Sequence, residues 1–133
     1  MKGIDQLIIP DVRYAPDHEW ARLEGDRVRV GISDYAQDQL GDIVYVELPR
    51  VGDTFERGEV FGTVESVKAV SELYIPVGGE ILAVNPALEG SPELVNTDPY
   101  HEGWMIDVKP GDLKELDALM SQNAYVRMLK GLD

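Results

Sequence analysis

The chain has 133 residues, 44% hydrophobic and 28% charged, proportions of a soluble globular protein rather than a disordered or fibrous one. Twenty-five acidic against twelve basic residues leave a net charge of −13, which repels phosphate backbones and anionic lipid and disfavours nucleic-acid and membrane-surface roles. Cysteine is absent, so disulfides, thiol nucleophiles, iron–sulfur clusters and thiolate-bound zinc are excluded.

The length fits one domain, residues 1–133, with a β core over about 14–110 and a helical segment over about 112–130. The first ten residues carry Asp5 and too short an apolar run for a secretory leader, and no segment suffices to span a bilayer. The expected location is the cytoplasm.

In chain order, the first strand is predicted over 28–32, where apolar residues alternate with others. Ser33 and Asp34 cap a short helix over 35–40, and Gly41 stops it. Strands follow over 43–48, 60–65, 70–75, 80–85 and 104–109, separated by turn residues that include Gly52, Gly58 and a tight hairpin at Gly78-Gly79. Asp112 and Glu115 have the spacing of a capping box, after which Leu113, Leu116, Leu119 and Met120 mark one helical face. Ser121 opens a last short helix with Tyr125, Met128 and Leu129 facing inward. Many short strands with no room for crossover helices predict a mainly β fold, a flattened barrel or sandwich with short peripheral and C-terminal helices.

One lysine stands apart. Between Lys2 and Lys109 the only lysine is Lys68. Pairing 60–65 with 70–75 places it on the tip of a hairpin spanning 66–69. Most hairpin-tip lysines only solubilise, so position by itself leaves a second reading open, an acidic noncovalent adaptor whose Lys68 is never modified. A lysine acting as its own nucleophile needs an apolar pocket or a cationic neighbour, whereas Lys68 has Glu65 and Glu72 close by in sequence. It suits acylation by a separate enzyme better than catalysis. His18 and His101 are too few for a histidine metal site, and no nucleophile–base pair or phosphate-binding motif is legible.

Several blocks together carry a resemblance. Glu65-Ser66-Val67-Lys68-Ala69, followed by Ser71, Tyr74, Pro76 and Gly79, resembles the lipoyl-attachment region of glycine cleavage system H proteins. So do Tyr14-Ala15-Pro16-Asp17-His18-Glu19-Trp20, residues 31–37 and 40–49, and Val95-Asn96 through Pro99-Tyr100 with Gly103-Trp104. A biotin carrier would have methionines flanking the lysine, and a 2-oxo acid dehydrogenase lipoyl domain typically has Asp where Val67 stands.

The resemblance implies a fold of the lipoyl carrier type and lipoic acid joined to Lys68 by a lipoate ligase or a lipoyl or octanoyl transferase. It implies a non-catalytic carrier that shuttles an aminomethyl group from a pyridoxal-phosphate glycine decarboxylase to a tetrahydrofolate-dependent aminomethyltransferase. Dihydrolipoamide dehydrogenase then reoxidises the carrier. The same resemblance points to Asp17, Glu19, Leu40 and Glu72 as lining a groove for the arm. Tyr35 and Gln39 depart from it, standing where some relatives carry histidine. An H-like carrier serving sulfur oxidation or lipoate relay is the alternative.

Overall fold

The computed structural model describes residues 2–132. Among the described residues nine strands form two antiparallel sheets. The larger has the order β1-β2-β3-β9-β8-β5, from Arg13–Tyr14, Glu19–Glu24, Arg27–Ile32, Ile106–Pro110, Gly79–Val84 and Thr54–Phe55. The smaller has the order β4-β6-β7, from Ile43–Glu47, Val60–Ser66 and Val70–Tyr74. The sheets do not close on each other, so of the two predicted architectures the sandwich is the one formed.

Both sheets feed one core. Val28, Val30, Ile81, Ile106 and Val108 from the larger meet Ile43, Val46, Phe61, Val64 and Leu73 from the smaller, all less than a tenth exposed. Alternation puts Val28 with Val30 and Ile106 with Val108 on one face, whereas irregularities in β4 and β6 bring Ile43 with Val46 and Phe61 with Val64, three positions apart, to the same core. A second cluster stacks Tyr14 on Tyr125 at 4.1 Å between ring centroids and adds Trp20 and Tyr100, fixing the C-terminal helix to the first strands.

The predicted strands occur with end shifts of one or two residues. Those at β1, β2 and β5 were not anticipated. In β2, Glu19-Trp20-Ala21 is buried without a break, which hides the period of two. The short helices α2 (Ala87–Gly90) and α3 (Leu94–Thr97) were also missed, each being a single turn within a connection.

Gly78-Gly79 is not a hairpin turn. Gly79 starts β8 and pairs with both Phe55 and Pro110, and a Cβ there would lie 2.0 Å from the Lys109 carbonyl oxygen. Glycine serves close approach of three backbones rather than a bend.

Helix α1 (Asp34–Leu40) forms as expected, with Ser33 Oγ accepting from Ala36 N–H and Gly41 at φ +80° closing it. Near the C-terminus, α4 (Lys114–Asp117) lacks the predicted capping box. Glu115 instead accepts Gly78 N–H at 2.9 Å, and Leu113, expected to face inward, is 52% exposed. A carboxylate that can satisfy a distant buried amide is drawn away from its own helix end. Helix α5 (Gln122–Leu129) is capped by Ser121 and buries Tyr125 as read from the sequence.

Candidate functional site

The β6–β7 hairpin reaches its tip at residues 66–69. Val67 and Lys68 occupy the centre of the turn, and a β-branched Val67 resists the positive φ that a primed hairpin turn demands. Neither residue adopts it. Ser66 supplies the compensation: its N–H donates to the Ala69 carbonyl at 2.8 Å, while its hydroxyl accepts Lys68 N–H at 3.3 Å and Ala69 N–H at 3.1 Å. Val67 N–H donates to the Asp42 carbonyl at 3.1 Å, which ties the tip to the loop between α1 and β4.

Lys68 projects from this braced turn, exposed, and among the described residues its ammonium has no hydrogen-bond or ion-pair partner. Its stem lies over Gly41, where a Cβ would sit 3.4 Å from Lys68 Cε and 4.0 Å from Nζ. An acyl group on this nitrogen would meet no enclosing wall, so the residue fits covalent attachment of a carrier group.

Asp17, Glu19 and Glu72 gather around Tyr74. Asp17 and Tyr74 line a surface groove of about 380 Å³ that continues over Pro16, Ile75, Pro76 and Leu119. The Tyr74 hydroxyl donates to Glu72 at 3.4 Å, and the Glu72 carboxylate is the main influence holding that phenol above its usual range. Alternation along β7 puts Tyr74 on the face of Glu72, the signal by which Tyr74 could have been picked out beside it. Leu40 lies elsewhere, half-buried at the end of α1 against the core, next to Gly41 and hence at the Lys68 end.

Glu19 sits beneath the groove at 2% exposure. Its Oε2 accepts Tyr74 N–H at 3.0 Å, whereas Oε1 is shielded and unpartnered among the described residues. Burial first, and then the neighbouring Asp17 carboxyl, push its pKa up from 4.5 to about 10. Glu19 therefore holds a proton at neutral pH.

His18 takes φ +80°, the one such non-glycine residue among those described. On either side of it Asp17 is exposed and Glu19 is buried. The ring is held by a 2.8 Å hydrogen bond between Nδ1 and the Tyr125 hydroxyl, which also bonds Ser33 Oγ at 2.7 Å. Burial lowers its pKa, with Asp17 opposing in part. His101 is exposed and pairs with Asp98 at 3.2 Å. No group of side chains suited to a metal ion occurs among the described residues, and no helix there is long and apolar enough to cross a membrane.

The family model for the glycine cleavage H-protein matches residues 12–132. This chain belongs to that family. Glycine cleavage system H protein of Bacteroides fragilis is 57% identical over 115 residues, covering 86% of this chain and 91% of the relative. That of Bacillus licheniformis is 54% identical over 120 residues, covering 90% and 94%. The crystal structure of a glycine cleavage system H protein from Mycobacterium marinum superposes with a TM-score of 0.82 at 41% identity, over 93% of this chain and all of that one. The family resemblance noted in the sequence thus extends to the fold. The relatives' names support the glycine cleavage reading and not the alternative in sulfur oxidation or lipoate relay.

Proposed function

We propose that this H-protein family member is a single carrier domain, not itself catalytic, that works in the cytoplasm as the lipoylated shuttle of the glycine cleavage system. The observation that carries the reading is Lys68: an exposed, unpartnered amine on a hydrogen-bonded turn, in a chain of this family. Attachment is amide formation. The Lys68 ammonium first loses a proton to the acylating enzyme or to water. The freed Nζ lone pair displaces the leaving group of an activated acyl donor held by a lipoate ligase or transferase, and the nitrogen then gives up a second proton to leave the neutral amide. Lipoate on this nitrogen would supply the reversible dithiol–disulfide pair that a cysteine-free chain lacks.

In this role the protein is successively a substrate of glycine decarboxylase, aminomethyltransferase and dihydrolipoamide dehydrogenase. Its own residues present, orient and shelter. The turn at 66–69 presents the amine, and Asp17, Glu19, Leu40 and Glu72 are the proposed shelter. Asp17 and Glu72 lie exposed and attract a cation from water, whereas Glu19 keeps a proton that an arriving cation would displace. The apolar part of the groove excludes water from a labile cargo.

Intact mass after incubation with lipoate and a lipoate ligase tests the reading. A lipoyl-sized increment that is lost in Lys68→Arg, together with glycine decarboxylation on adding the partner enzymes, is expected. An unchanged mass with a competent ligase would point to the noncovalent adaptor instead.

A further inference from the structure

The tip that carries Lys68 does not stand alone; it rests on residues 41–43, and one remote side chain holds those residues in place. Asn96, half-buried in α3, accepts Ile43 N–H on Oδ1 at 2.9 Å. Its Nδ2 donates to the Gly41 carbonyl at 2.9 Å and to Gln37 Oε1 at 2.9 Å. These contacts bridge 53 and 55 residues of sequence to the loop. Both donors and one acceptor of the amide are thereby engaged.

The orientation is forced. Ile43 N–H can only donate and the Gly41 carbonyl can only accept, so the amide has one placement. Gln37 cannot turn over to compensate, because its Nε2 donates to Asp34 Oδ1 at 2.8 Å. Between the two clamped positions lies Asp42, whose carbonyl takes Val67 N–H at 3.1 Å. Gly41 itself forms the floor beneath the Lys68 stem. A chain of contacts therefore runs from α3 through the loop to the turn.

Resting on the carrier reading above, we propose that Asn96 is the positioning residue of the modification site, fixing through residues 41–43 where the turn and Lys68 stand when the acylating enzyme engages. A hairpin tip freed from its seat samples several placements, and the enzyme can use only the competent fraction. Apparent affinity falls by that fraction while the chemical step on a bound chain is untouched. The effect belongs in KM, not in kcat.

Asn96→Asp is the test, because it keeps the size and the acceptor for Ile43 N–H but sets an oxygen against the Gly41 carbonyl and Gln37 Oε1. With lipoate ligase, lipoate and ATP, KM for the protein should rise roughly fivefold to tenfold with kcat within about twofold of wild type. Exchange of the Val67 amide should quicken by about tenfold or more. Val108→Ala, a core change in β9 that lowers stability away from the loop, should show neither effect. An unchanged KM or unchanged Val67 exchange in Asn96→Asp, or the same changes in Val108→Ala, would overturn the proposal. If Asn96→Asp does not fold, Asn96→Ser is judged by the same two readouts. A wild-type chain that accepts no lipoyl group at all would instead overturn the carrier reading.

Discussion

Replacing Glu19 by glutamine isolates the proton that this buried carboxyl holds. Folding carries the side chain from water, where it ionises near 4.5, to a site where it ionises near 10. Between those values the folded protein holds a proton that the unfolded chain does not, so its contribution is fully present below 4.5 and is lost as pH rises toward 10. At pH 7, two and a half units above 4.5, the cost of taking up that proton is about 3 kcal/mol at roughly 1.4 kcal/mol per unit. Glutamine keeps an oxygen for Tyr74 N–H and never ionises. Glu19→Gln should therefore match wild type near pH 4.5 and exceed it by about 3 kcal/mol at pH 7. Urea unfolding of both proteins from pH 4.5 to 9 measures the difference, which should grow by about 1.4 kcal/mol per pH unit. Parallel curves would show that Glu19 is ionised in the folded state, and the reasoning would fail.

Gly62→Ala would place a Cβ 2.2 Å from the Glu47 carbonyl oxygen across the β4–β6 pair, so chemical denaturation should show a loss of about 3 kcal/mol; under 1 kcal/mol would refute the close approach. Tyr125→Phe removes the hydroxyl shared by His18 and Ser33 and should cost about 2 kcal/mol in thermal or urea unfolding. The His18 ring should titrate by NMR below its ordinary 6.5, because burial disfavours the cation; its contribution to stability is full above 6.5 and fades as pH falls through the lowered value. Asp34 is also shifted downward, but against its burial rather than because of it. Burial pushes its carboxyl up, but the hydrogen bonds from Ile8 N–H, Lys2 and Gln37 together outweigh it and hold the group below 3.8. Asp34→Asn should cost about 2 kcal/mol at pH 7, with the gap to wild type closing as pH falls below 3.8 in acid titrations.

What local chemistry controls was legible in the chain. Ser33 and Ser121 start helices and Gly41 stops one where they were expected to, because capping depends on neighbours within a few residues. Strands β3 and β4 were legible as alternating runs and β6 and β7 as strand-forming runs bounded by turn residues, and with them the hairpin whose tip carries Lys68, although irregularities in β4 and β6 break the period of two in their burial. Where local chemistry competes with a distant partner, reading failed: Glu115 leaves its own helix end for Gly78, and Gly79 serves a three-backbone contact rather than a turn.

The order of residues alone therefore determined the strand-rich class, the lone central lysine and the blocks that mark the family. Only the folded chain decided that the sheets stay open, that Glu19 is buried with a proton, and that Asn96 grips the loop under Lys68. The physical reason is range. Capping and alternation act over a few residues, whereas desolvation and long-distance hydrogen bonds depend on which remote segments the core brings together.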